Sequence, residues 1–118
     1  MSLTVRPARE DEIPTLLAMY EWLFEPPGYR PEAWDVDRAG QALREAISGA
    51  ESVVLVADAE SGTLVGLITA YIELHSVRFG LRCWVEDLVV DPSQRSAGLG
   101  KTLLHAAKAW AKERGATH

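Results

Sequence analysis

Residues 91–110 read DPSQRSAGLGKTLLHAAKAW, a glycine-bearing turn that feeds a long amphipathic helix. The run GLGKT, Gly98 to Thr102, invites comparison with the phosphate loop of nucleotide hydrolases. Such a loop needs a glycine, four residues, then Gly-Lys-Ser/Thr, so that successive backbone N–H groups curl toward the phosphates. Five positions before Gly100 stands Arg95, which cannot supply that glycine's permissive backbone. The dinucleotide pattern G-x-G-x-x-G fails too. Its third glycine position holds Leu103, and the sequence ends before the acidic residue that should follow about twenty positions on.

What remains is R-x-x-G-x-G, Arg95 to Gly100, between a hydrophobic strand and the helix. A helix N-terminus presents unsatisfied N–H groups and a positive dipole end, and two glycines let an anion approach that backbone closely. Arg95 and Lys101 add full positive charge. The arrangement suits a pyrophosphate that is bound rather than hydrolysed, since no acidic strand end is in evidence to hold magnesium. Two glycines alone would serve equally well as a tight strand-to-helix turn; the arginine and the preceding strand favour the anion site.

Working outward, LTVRPARE (Leu3 to Glu10) alternates apolar and polar residues and predicts a short strand ending near Pro7. DEIPTLLAMYEWLFE follows with acids in its first turn and Ile13, Leu16, Leu17, Tyr20 and Phe24 at helical spacing. PPGY (Pro26 to Tyr29) breaks that helix, and EAWDVDRAGQALREAIS resumes a helical period through Ala39, Leu43, Ala46 and Ile47. The loop between the two helices is a natural substrate wall. From Ser52 the period becomes that of strands: SVVLVADA, a turn ESGT with Gly62 at its tight position, and LVGLITAYIEL form an antiparallel hairpin. HSVRFG turns the chain into LRCWVEDLVV, another strand. The last helix runs from about Gly98 to Arg114, with Leu99, Leu103, Ala107 and Trp110 as its core stripe. The order strand, helix, helix, three strands, helix is an α/β plan with a mostly antiparallel sheet.

The 118 residues make one domain, with 47% hydrophobic and 25% charged residues. The best apolar run, Ser52 to Ala57, is far short of a membrane span, and MSLTVRPARE lacks the apolar segment of a secretory leader. No membrane partner is expected, and cytoplasm is the expected location. The single cysteine, Cys83, excludes an internal disulfide and reads as buried filler. His75, His105 and His118 have no metal-ligand spacing, so no metal is expected. The net charge of −5 argues against nucleic-acid binding. Its distribution is uneven: residues 91–118 carry five Lys/Arg against two acids, +3, which leaves −8 on the other 90 residues. A basic segment for an anionic cofactor in an acidic body that attracts a cationic amine fits amine acylation.

Residues 85–118, VEDLVVDPSQRSAGLGKTLLHAAKAWAKERGATH, resemble the acyl-CoA-binding motif of the GNAT family of N-acetyltransferases. The resemblance implies an α/β fold with a central, mostly antiparallel mixed sheet flanked by helices. The single domain would be incomplete at its C-terminal end, since GATH stands where a fifth strand would begin. That would leave the fourth strand's outer edge unpaired and prone to association. Acetyl-CoA is the implied cosubstrate and a small-molecule primary amine the implied acceptor, joined by direct attack in a ternary complex. The alternative is a non-catalytic module that binds or senses acyl-CoA. Members often dimerise through late strands, which makes a homodimer an expected arrangement.

Residue by residue, the resemblance assigns the backbone of Leu88 and Val90 to the pantetheine arm, added as if it were a strand, with the Val90 N–H toward the thioester carbonyl. Ser96, Ala97, Gly98, Gly100 and Lys101 would offer N–H groups to the pyrophosphate, with Arg95 and the Thr102 hydroxyl contributing side chains. Strand alternation puts Trp84, Glu86, Leu88 and Val90 on one face and Cys83, Val85, Asp87 and Val89 on the other. Glu86 thereby shares a face with the cofactor strand and is the expected general base, directly or through a water; orienting a cationic substrate is its alternative role. Asp87 reads as structural. The thiolate-protonating tyrosine of the family would lie beyond residue 118.

Overall fold

A computed structural model of the chain describes residues 3–60 and 62–118, with the backbone alone for Ser96. Strand β1 (Thr4–Pro7) is followed by a 3-10 turn (Glu10–Glu12) and helix α1 (Ile13–Phe24). Helix α2 (Val36–Ser48) precedes strands β2 (Ser52–Asp58), β3 (Leu64–Ser76) and β4 (Gly80–Val90); a second 3-10 turn (Pro92–Ala97) leads into α3 (Leu99–Glu113). The strands form one antiparallel sheet in the order β1-β2-β3-β4. Ser61, in the expected ESGT turn, lies outside the described residues.

Apolar side chains cover both faces of the sheet. Ile13, Leu16, Met19 and Tyr20 of α1 and Leu43 of α2 pack on Val54, Val56, Leu67 and Val89. On the other face Leu99, Leu103 and Ala107 of α3 pack on Val53, Leu55, Ile68 and Ala70, with Trp110 at the margin. Close approach of α3 to β3 depends on Gly66, where an added Cβ would lie 2.9 Å from a Leu103 methyl and 3.2 Å from the Val89 carbonyl oxygen.

Helix α2 starts later than its apolar period suggests. Asp35 caps it, its carboxylate accepting from the N–H groups of Asp37 (2.9 Å) and Arg38 (3.1 Å). Trp34 is thereby left in the loop, edge-on to Phe24 (4.9 Å between centroids) and tilted against Tyr20 (5.7 Å).

Two expectations about β4 require correction. Its outer edge is bare only in part: Leu81 bridges Ala116 in parallel, the Thr117 N–H donates to the Leu81 carbonyl (2.9 Å), and the Cys83 N–H to the His118 carbonyl (2.8 Å). Residues 116–118 thus cover the start of β4.

The alternation of β4 also breaks. Thr69 pairs with Asp87 but Ala70 with Val85, so Glu86 is the extra residue of a β-bulge. Glu86 therefore does not share a face with Leu88 and Val90. Past the bulge Asp87 and Val89 face α1 and α2, where Val89 joins their core cluster, while Leu88 and Val90 lie under Gly100 of α3.

Candidate active site

The bulge gives β4 two functional sides. Asp91 donates its N–H to the Val65 carbonyl (2.9 Å) and Asp87 its N–H to the Thr69 hydroxyl (3.1 Å), so the alternate residues 87, 89 and 91 direct their backbone groups toward β3. Leu88 and Val90 consequently point theirs at the open edge. Before the bulge the outward groups belong to Leu81 and Cys83, odd positions that pair with residues 117 and 118. One extra residue therefore sets which carbonyls and N–H groups are available near the strand's end.

The 3-10 turn carries the chain from that edge to α3. Asp91 opens it, accepting from the backbone N–H and the hydroxyl of Ser93, both at 2.9 Å. Ser96 and Ala97 lie within the turn, whose N–H groups run back toward carbonyls three residues earlier. Gly98 then takes the left-handed conformation, φ 77° and ψ 14°, and caps α3. The first backbone bond of the helix is Thr102 N–H to the Gly98 carbonyl (3.2 Å), which leaves the N–H groups of Leu99, Gly100 and Lys101 directed out of the helix end. Lys101 is exposed beside them. These groups fit an anion such as a pyrophosphate. The Thr102 hydroxyl turns back to the Gly98 carbonyl (3.2 Å). Arg95 reaches sideways, donating to the Val90 carbonyl (3.3 Å) and to the Trp22 carbonyl (3.1 Å) in the last turn of α1. Its guanidinium fastens the turn to both elements, a role that spacing alone does not reveal.

On the other side of the bulge lies a cavity of about 280 Å³, walled by α1, α2 and the β3–β4 surface. Glu86 and Asp87 line it together, as only a bulge permits for consecutive strand residues. Glu86 is exposed and accepts from the Trp84 indole N–H (2.9 Å). Asp87 accepts from the Tyr20 hydroxyl (2.7 Å). Burial pushes the Asp87 carboxyl above its usual range, the Tyr20 hydrogen bond pulls it back, and the nearby Glu86 charge raises it again. The Tyr20 phenol is raised as well, first by burial and then by the Asp87 charge. Trp34 lines the same cavity, so the loop between α1 and α2 does form one of its walls.

The sequence reading placed Glu86 at this site but missed Asp87 and Tyr20 as a pair. Tyr20 sits on the core stripe of α1, and the partnership depends on a bulge that no local pattern announces.

A second cavity, about 580 Å³, lies at the other end of β4 among Cys83, Val85, the C-terminal half of α3 and residues 116–118. Among the described residues no three His, Cys, Asp or Glu side chains come together as metal ligands. No described helix is long and apolar enough to cross a membrane.

Residues 16–118 match the model of the acetyltransferase (GNAT) family. An uncharacterized N-acetyltransferase of Bacillus subtilis strain 168, YhfO, is 29% identical over 97% of this chain and 74% of its own length. Among solved structures, a predicted acetyltransferase from Clostridium acetobutylicum with acetyl-CoA superposes with a TM-score of 0.82 at 15% identity, over 98% of this chain and 77% of that one. An aminoglycoside acetyltransferase from an uncultured soil metagenomic sample gives a TM-score of 0.71 at 27% identity, over 98% and 76%.

Proposed function

The chain belongs to the GNAT family of acetyltransferases and is an acetyl-CoA-dependent N-acetyltransferase; on that premise we propose that it acetylates a small-molecule primary amine by direct attack in a ternary complex, in the cytoplasm. The observation that carries this reading is the bulge at Glu86, which sets an acidic cavity and an open strand edge back to back on β4. The aminoglycoside enzyme among the structural neighbours supports a small-molecule acceptor.

The cosubstrate's pyrophosphate is held at the start of α3 by the N–H groups of Leu99, Gly100 and Lys101, with Gly98 keeping the approach clear. Its pantetheine arm runs along the outward backbone of Leu88 and Val90 as an added strand. An ammonium group entering the cavity is drawn to Glu86 and Asp87. Glu86, the more exposed carboxylate, takes its proton, directly or through a water. The freed nitrogen lone pair then attacks the thioester carbonyl carbon. The carbonyl electrons move to oxygen near the Val90 N–H and return as the carbon–sulfur bond breaks; the thiolate leaves with the bond pair, the nitrogen gives its second proton to solvent as the amide forms, and the thiolate takes a proton from solvent to become the CoA thiol.

The test is Glu86→Gln in an amine-library acetylation assay with a parallel acetyl-CoA titration. Turnover lowered by about 10²–10⁴-fold with acetyl-CoA affinity retained supports Glu86 as the base. Unchanged turnover removes it from that role.

A further inference from the structure

The acceptor cavity is lined in a way that selects the body of the amine as well as its charge. Both carboxylates stand at one end, on the bulge. From α2 the lining takes Ala39, Ala42 and Ala46, three small side chains on one helical face, with Leu43 beside them. None of these side chains donates or accepts a hydrogen bond. Trp34 and Tyr71 add aromatic surface to the lining.

Two hydroxyls on the lining are already engaged. The Tyr20 hydroxyl is bound to Asp87, and the Thr69 oxygen accepts from the Asp87 N–H. A sugar-like acceptor entering here would set hydroxyls against the alanine face, where each one buried without a partner opposes binding. A flat apolar body loses nothing on that face and gains contact with the two aromatic side chains.

We infer that the acceptor is an arylalkyl monoamine, its ammonium on Glu86 and Asp87 and its ring between the α2 alanines, Trp34 and Tyr71. This rests on the amine-acetylating function proposed above, and a binding readout separates the two. The chain is titrated calorimetrically with 2-phenylethylamine, spermidine and kanamycin. The same titrations are repeated on Ala42→Leu, which fills the slot at an exposed helical position where leucine is well tolerated. The expected result is saturable binding of 2-phenylethylamine about tenfold or more tighter than either polyamine, and about tenfold weaker binding in the variant. Tighter binding of spermidine or kanamycin, no saturation by 2-phenylethylamine, or an Ala42→Leu chain with unchanged affinity would overturn the inference. Tight arylalkylamine binding without acetylation in the presence of acetyl-CoA would leave the inference standing and overturn the proposed function instead.

Discussion

Tyr20 and Asp87, 67 residues apart, are joined by a 2.7 Å hydrogen bond that ties the middle of α1 to the bulged end of β4. The bond holds a partly buried carboxylate next to Glu86 and fixes the floor of the acceptor cavity. A buried carboxyl with its pKa raised binds a proton more tightly in the folded than in the unfolded chain.

The raised Asp87 carboxyl has a pH signature. Its cost to stability is absent below the ordinary value of 3.8 and appears as pH rises through the folded value above it. Asp87→Asn keeps an oxygen to accept the Tyr20 hydroxyl and removes the charge. Urea midpoints measured from pH 4 to pH 7 are expected to show the variant gaining on the parent as pH rises. A constant difference across that range would contradict the assignment.

The acid limb of stability belongs to a different group. Arg6 donates to both oxygens of Glu12, at 3.0 and 2.7 Å, and the Arg9 N–H donates to the same carboxylate at 2.8 Å. The Arg6 hydrogen bonds, against the opposing effect of burial, hold Glu12 at about 2 rather than 4.5. Its contribution is therefore complete above pH 4.5 and lost as pH falls from there toward 2. Glu12→Gln should cost about 1–3 kcal/mol at neutral pH and flatten this limb in acid titrations followed by circular dichroism. An acid transition of unchanged shape would show that the pair is not what holds β1 to α1.

Much of the architecture was legible in the sequence because each element carries its own local signal. The short apolar run of residues 53–57, the apolar stripe of 99–107 and the glycine at 98 all report local geometry. The turn that opens α3 was legible for the same reason: turn, glycines and helix start are contiguous. The acceptor side was only half legible. Glu86 could be singled out, but its face could not, since a bulge arises from pairing with Thr69 and Ala70 in a different strand. Asp35 likewise ended the apparent helical period of residues 32–35 through a side-chain cap, which placed Trp34 at the cavity instead of within α2. The hold of Arg95 on Trp22, 73 residues away, had no sequence signal at all.

The most direct measurement is calorimetric titration of the chain with acetyl-CoA beside Gly98→Asp, with ATP plus magnesium as a control ligand. Gly98 has φ 77°, a conformation that aspartate tolerates better than most residues. The variant thus keeps the turn and sets a negative charge where the pyrophosphate should lie. Saturable acetyl-CoA binding that the aspartate weakens by about tenfold or more, with no response to ATP, is the predicted result. Equal acetyl-CoA affinity in the two chains, or no acetyl-CoA binding by a chain that circular dichroism shows to be folded, would contradict it.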